Sequence, residues 1–293
     1  MDKPQKRKAL PYLAASGTVL FWASAFPAVK YALEYYSPGA LMLFRFLIAS
    51  VLLMTYCAIK KVALPKAKDL PLFILCGFLG LFVYMWAFNA GTDLVPSGVS
   101  GFIIASAPVF TLILSIAFLK EKSGILVWVG VLASFGGIII IAATQMYGLQ
   151  LNVGVWLLLG AALSASIFII LQRRLLKTYT PMQITAYPIV LGTAFMLIFT
   201  PSLIREMPQA SLSANLVVVY LGVFPAAIAY LLWGYALAGV AKTVYITSFL
   251  YLSPFLASFM AFIWLGERMP PMAFVGGVVV VLGMVVTNLK KTP

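Results

Sequence analysis

The chain has 293 residues, 63% of them hydrophobic and 9% charged, with a formal net charge of +13 and no histidine. An average soluble domain is roughly 25% charged, so this composition excludes an ordinary soluble fold and indicates a polytopic membrane protein. Without histidine, and with Cys57 and Cys76 lying singly in or beside apolar runs, the chain lacks His-based acid–base groups, His or paired-Cys metal sites and any C-x-x-C redox motif.

The chain starts with a basic stretch, Met1 to Lys8. The apolar run from Ala9 to Val29 is too long for a cleaved signal peptide and lacks its A-x-A-like exit. Taking ~20 apolar residues as the length that crosses hydrocarbon ~30 Å thick, hydropathy predicts ten spans. They fall at 9–32, 38–59, 70–91, 97–119, 124–143, 153–172, 181–202, 213–237, 243–265 and 270–289. Breakers sit at the joins: Ser37-Pro38-Gly39, Pro65, Pro71, Pro96-Ser97-Gly98, Tyr147-Gly148, Thr180-Pro181, Pro201-Ser202 and Pro270-Pro271. With the amino terminus in the cytoplasm, every basic residue except Lys30, Arg45, Arg205 and Arg268 falls on the cytoplasmic side. This positive-inside pattern places both termini there and accounts for the net charge without a nucleic-acid partner. Cys57 and Cys76 then lie toward the reducing side and are read as packing residues, although the sequence leaves a disulfide between them open.

The stretch from Ser97 to Glu121 recurs 146 positions later, from Thr243 to Glu267. Both copies carry a mid-span proline (Pro108, Pro254) and end in Leu-x-Glu, and the same offset pairs Tyr84 with Tyr230, Gly130 with Gly276 and Gly137 with Gly283. The first two helices of each half align at an offset of 143, pairing Gly17 with Gly160 and Pro38 with Pro181. The halves are expected at 1–145 and 146–293. Five spans per half is an odd number, so equivalent helices run oppositely through the bilayer. Such an inverted repeat is how many transporters obtain two alternative accesses to one central site.

Ten spans in a five-plus-five inverted repeat resemble the drug/metabolite transporter superfamily, and within it the EamA-type exporters. The first-helix text from Gly17 to Pro27, GTVLFWASAFP, the Arg45-Phe46 pair and the pairs Pro108/Glu121 and Pro254/Glu267 carry that resemblance over essentially the whole chain. Within the family the chain looks most like the YddG amino-acid exporters. The resemblance implies an all-α fold in which helices one to four and six to nine surround a central cavity, with five and ten to one side. One departure is that Ala165 and Ile170 stand where the first half has Trp22 and Pro27.

Candidate substrate-binding residues follow, each with an alternative in packing. Trp22, Ser24 and Phe26 flank Pro27, which removes a backbone hydrogen bond and leaves carbonyls able to receive an ammonium; the alternative is a packed kink with Trp22 as filler. Tyr84 with Phe88, and Tyr230 with Trp233, give two helices an aromatic face; such stripes also serve plain helix packing. Ser106, Tyr251 and Ser253 lie beside Pro108 and Pro254, which are read chiefly as hinges. Ser164 and Ser166 either line the cavity or permit close packing. Arg45 is the deepest ionisable residue in any span; it binds a substrate carboxylate or, the reading favoured here, caps backbone carbonyls. Glu121 and Glu267, beside Lys122 and Arg268, are read as loop-holding ion pairs.

These residues suit an exporter of small amino acids and related metabolites working by alternating access, with no cofactor and with a small solute and the lipid bilayer as partners. The alternatives are an exporter of drug-like or aromatic cationic compounds and a phosphate-free metabolite exchanger of the same superfamily. A membrane enzyme lacks the residues to run on: there is no histidine, no G-x-S-x-G, and all seven acids lie at span ends or in loops. The missing buried carboxylate also points to facilitated diffusion or exchange, or to an unusual proton relay. The expected location is a bacterial inner membrane.

Overall fold

The computed structural model describes residues 4–94, 97–145, 153–265 and 271–289. The described residues form ten helical units and no strand: α1 Pro4–Ala32, α2 Pro38–Ile59, α3 Ala67–Leu94, α4 in two pieces (Ser97–Ile104 and Ala107–Leu119), α5 Ile125–Gln145, α6 Val153–Leu175, α7 Pro181–Glu206, α8 Leu212–Ala238, α9 Val244–Trp264 and α10 Pro271–Leu289. Seven of these units are long and apolar enough to cross a bilayer, and α4, α5 and α10 carry shorter apolar stretches. Large apolar side chains such as Val51, Ile59, Ile198 and Phe262 stand exposed on the outside, as hydrocarbon requires and water would penalise. Cys57 and Cys76 are buried free thiols, which closes the disulfide question. Glu267 and Arg268, and the expected join at 145–146, involve residues outside the described set.

The caps repeat along with the helices. Ser37 precedes Pro38 and its Oγ accepts the Ala40 N–H of α2. At the equivalent place Thr180 precedes Pro181, and its Oγ1 accepts the Gln183 N–H while Gln183 Oε1 accepts the Thr180 N–H. A capping side chain followed by a proline already set at helical φ starts both helices sharply.

Packing shows how the halves meet. α5 and α10 cross antiparallel along a seam of glycines: a Cβ on Gly130 would lie 2.6 Å from the Gly283 carbonyl, and one on Gly137 2.7 Å from that of Gly276. Gly130 is the repeat partner of Gly276, and Gly137 of Gly283, so each glycine meets the partner of the other. That exchange is the signature of a two-fold relation. Between the two glycine contacts Ser134 Oγ donates to the Val280 carbonyl at 3.1 Å, and Ser134 and Val280 are themselves equivalent. In α2 and α7 the equivalent hydroxyls of Ser50 and Thr193 bond each other at 2.9 Å. A bond between equivalent residues forms only on the axis relating them, so these two contacts mark a pseudo-two-fold axis through the bundle.

Near that axis the helices depart from α geometry. α3 and α8 widen to i→i+5 bonding over Phe78–Val83 and Gly222–Ile228. The expected continuous span at 97–119 is instead broken between Ile104 and Ala107, and α9 tightens to a 3₁₀ turn at Ser248–Tyr251. Both breaks lie just before a proline (Pro108, Pro254), where the missing N–H and the ring prevent a normal bond to the carbonyl four residues back. In α4, the Ser106 N–H and Oγ both donate to the Ile103 carbonyl, at 3.0 and 2.7 Å, forming a tight turn at the break.

The seam makes a paired prediction. Gly130→Ala forces α5 from α10 and should lower stability by about 1–3 kcal/mol. Gly136→Ala, whose Cβ meets nothing within 4 Å, should be neutral or stabilising by up to about 1 kcal/mol. Thermal unfolding of both variants in detergent measures the difference; equal melting temperatures would remove the seam as a stabilising contact.

Candidate functional site

A cavity of about 80 Å³ lies at the centre of the bundle, walled by α1, α2, α3, α4, α6, α8 and α9. The family pattern anticipated α7 in the wall as well, but α7 contributes no lining residue; it packs behind α2 and α3. The wall is built in equivalent pairs. Trp22 pairs with Ala165, Ala25 with Phe168 and Phe26 with Ile169 at the offset of 143; Tyr84 pairs with Tyr230, Ile104 with Leu250 and Ala107 with Ser253 at 146. The pseudo-two-fold relation therefore runs through the cavity, and each half supplies about one side of it.

Of the candidate residues, Trp22, Phe26, Tyr84, Phe88, Tyr230, Trp233 and Ser253 come together on this wall. Trp22 stands 5.3 Å from the Tyr230 ring and 5.2 Å from Trp233, centroid to centroid, while Phe26 meets Phe88 at 5.5 Å and Tyr84 meets Phe88 at 6.0 Å. These edge and tilted geometries are the favourable ones for aromatic pairs. Pro27 is buried inside α1, which continues through it.

Five candidates, Ser24, Ser106, Ser164, Ser166 and Tyr251, lie elsewhere. The lining residues of α1 are 22, 25 and 26 and those of α6 are 165, 168 and 169, the i, i+3, i+4 pattern of one helix face. Ser24 falls about 150° and Ser164 about 90° from the middle of that face. Ser24 Oγ donates to the Phe21 carbonyl at 2.8 Å and bonds the Tyr220 hydroxyl. Ser164 Oγ donates to the Leu79 carbonyl at 2.7 Å. Ser106 closes the break in α4, as described above. Tyr251 is 0% exposed in a separate cluster with Val244, Tyr245 and Val280, and its hydroxyl has no hydrogen-bond partner.

The widened turns explain where two of the polar groups go. Leu79 and Pro225 occupy equivalent places in the i→i+5 segments of α3 and α8, where a carbonyl is displaced from its helical bond. Ser164 Oγ donates to the first, which also accepts the Tyr84 N–H, and Trp22 Nε1 donates to the second at 3.1 Å. Trp22 therefore offers the cavity only its ring. Ser166 Oγ does similar work at the break in α4, donating to the Ala107 carbonyl at 2.9 Å.

Arg45 corrects the reading of it as a cap. It is 1% exposed and lines the cavity, yet Nε and Nη1 reach no backbone carbonyl or other partner. The guanidinium carbon lies 5.4 Å from the Phe46 ring centroid, and the wall is otherwise without a charged side chain among the described residues. An arginine so placed in a membrane carries a cost of at least ~2.5–3.5 kcal/mol. Lys30, the other cation considered near the cavity, is not on the wall; its Nζ donates to the carbonyls of Thr92 and Asp93 at 3.2 and 3.3 Å, capping the end of α3.

The bundle ends are tied by polar contacts. Where α4 and α6 end and α9 begins, the Glu121 carboxylate accepts from the Thr243 N–H and Oγ1, the latter at 2.7 Å, and Arg173 Nε stands 3.9 Å away. Arg173 also donates to the carbonyls of Leu237, Val240 and Ala241 at the end of α8. Glu121 is thus held by Arg173 and Thr243 and not by the adjacent Lys122. At the other end Glu206 accepts from the Ser37 N–H and Oγ at 2.8 and 3.1 Å. Burial, and then Glu206, hold the nearby Tyr36 phenol above its ordinary value.

Sequence reasoning passed over Met85, Phe168, Gly80 and Gly101 on the wall. Phe168 was within reach: adding 143 to Ala25, one turn from Trp22 on the same face, leads to it.

The profile of the EamA-like transporter family matches this chain twice, over residues 9–143 and 152–289. The chain is similar to the uncharacterized transporter YdfC of Bacillus subtilis (strain 168), 38% identical over 92% of this chain and 88% of that one. It is also similar to a probable terminal-alkyne amino-acid exporter of Streptantibioticus cattleyicolor, 36% identical over 93% of this chain and 91% of that one. A solved crystal structure with 18% identity superposes with a TM-score of 0.79, covering 95% of this chain and 96% of its own, and shares the fold.

The placements separate packing from lining. Tyr251→Phe deletes a buried hydroxyl without a partner and should be neutral or stabilising by about 1 kcal/mol. Ser164→Ala removes one of two bonds to the Leu79 carbonyl, which keeps the Tyr84 N–H, and should cost about 0.5–1.5 kcal/mol. Melting temperatures check both; a marked loss of stability in Tyr251→Phe would show that its hydroxyl has found a partner.

Proposed function

Since the chain belongs to the EamA-like transporter family, and is therefore a multi-pass membrane transporter, we propose that it exports small amino acids and related metabolites from the cytoplasm by alternating access through the central cavity. The observation that carries this reading is the wall of equivalent pairs, among them Tyr84 with Tyr230 and Ile104 with Leu250. A site built by both of two oppositely threaded halves can be opened to either side by the same motion run in mirrored form. The breaks before Pro108 and Pro254 fall beside it, where a rocking motion needs its hinges.

The chemistry of the wall supports a modest solute with an apolar portion. Aromatic rings from both halves supply contact area, and two phenols and Ser253 supply hydrogen bonds. The relative named as a probable terminal-alkyne amino-acid exporter agrees with a small amino acid as cargo. Export of aromatic or drug-like cations, the second reading, draws on the same rings but meets the positive charge of Arg45. In this reading both termini are cytoplasmic in a bacterial inner membrane, and the tie of Glu121, Arg173 and Thr243 closes the cytoplasmic end.

Proteoliposomes containing the purified protein test the proposal. Labelled amino acids should exchange by counterflow, with a pH gradient alone driving no accumulation. Tyr84→Phe and Trp22→Ala should each change the rank order of solutes. Unaltered uptake in both variants would return those residues to packing, and absence of counterflow for every amino acid would overturn the proposal. Tags after Glu121 and after Glu267 should be reached from opposite faces of intact cells.

A further inference from the structure

The wall of the cavity is symmetric in its backbone and asymmetric in its charge. Each half sends its first, third and fourth helices to it in matched positions, but the second helices differ. α2 presents Arg45, and the residue 143 positions on is Pro188 of α7, which is buried away from the wall. A charge has therefore been placed on one side of a site whose scaffold repeats on both.

The guanidinium is built to meet something that is not in the protein. Arg45 is 99% shielded from solvent by its 1% exposure, and two of its nitrogens, Nε and Nη1, face no acceptor. Nε pairs with Nη2 on one edge of the guanidinium and Nη1 pairs with Nη2 on the other, and either edge grips a carboxylate with two parallel N–H···O bonds. Buried charges in proteins are ordinarily paired, and removing a charge from water without a partner is strongly unfavourable. No acid shares the wall among the described residues. The rest of the surface around the cation is apolar or aromatic, with the phenols of Tyr84 and Tyr230 as further polar groups.

Resting on the transport reading of this cavity, we propose that Arg45 is the carboxylate anchor of the site, and that the cargo is a monocarboxylate with an apolar body, held by its carboxylate at Arg45 and by its body against the aromatic wall around Trp22 and Phe88. The wall carries no carboxylate to require an ammonium, so the carboxylate is the group that decides binding. A free amino acid and the corresponding acid without its amino group both qualify. An amide or an amine of the same skeleton does not.

Three probes of one skeleton test this on the full-length protein in detergent: L-leucine, 4-methylpentanoate and L-leucinamide, with binding read from tryptophan fluorescence, since Trp22 and Trp233 line the cavity. L-leucine and 4-methylpentanoate should bind in competition, and L-leucinamide about tenfold or more weaker, as the loss of a charge-assisted bidentate pair requires. Arg45→Gln should weaken both carboxylates to the level of the amide, and Arg45→Lys should restore part of the difference. The wild-type comparison needs no variant and so survives misfolding of either. L-leucinamide binding as tightly as 4-methylpentanoate, a carboxylate preference that persists in Arg45→Gln, or no binding of any probe to the wild type would overturn the anchor. Counterflow of labelled L-leucine separates the two claims: a carboxylate preference without transport removes the export reading alone, and transport without the preference removes the anchor alone.

Discussion

Hydrocarbon offers a polypeptide no water, so any backbone group that leaves its helical bond must find a partner in the protein. The architecture depends on that constraint. Irregular turns surround the cavity, and three of the side-chain bonds made at them cross the repeat. The Leu79 carbonyl of the first half is taken by Ser164 of the second, and the Pro225 carbonyl of the second by Trp22 of the first. Ser166 of the second half takes the Ala107 carbonyl of the first. The same hydrogen bonds that make the irregular turns tolerable thus join the two halves where the cavity lies.

Association of the halves has little other source of specificity. Lipid tails are as apolar as leucine, so helices gain from close approach and from polar contacts more than from burial as such. The α5–α10 glycine seam supplies the close approach, and the axial bonds Ser134–Val280 and Ser50–Thr193 supply the polar contacts. A bundle held by small residues and single hydrogen bonds can slide between alternative packings more readily than one interlocked by large side chains. The tie at Glu121, Arg173 and Thr243 has the same character: charge-assisted bonds, each worth about 1.5–3 kcal/mol net, join the ends of α4 and α6 to the start of α9.

Duplication explains the scaffold of the cavity but not its chemistry. Trp22 against Ala165, Ala25 against Phe168 and Arg45 against Pro188 show one backbone furnished in two ways. Bulk on one side is balanced by a small residue on the other, which keeps an opening between two helices related by the axis. Charge has no such counterpart, so the cavity has a polar direction that the fold alone lacks.

The sequence by itself determined the ten spans, the two offsets of the repeat, the opposed threading of its halves and the proline breaks, because lengths of apolar residue, turn residues and self-similarity are all properties of order along the chain. It also contained the pairing of Tyr84 with Tyr230. What it could not determine was which face of each helix looks inward. In a soluble bundle an amphipathic stripe marks the buried face. Here lipid and core are both apolar, so Ser24 and Trp22, two residues apart, looked equally suited to the cavity, and so did Ser164 and its neighbour Ala165. Only the tertiary structure turned Trp22 and Ala165 toward the cavity and the serines toward other helices. The same holds for Arg45, whose position along α2 was plain from the start while its freedom from backbone partners depended on where α3 and α8 put their carbonyls.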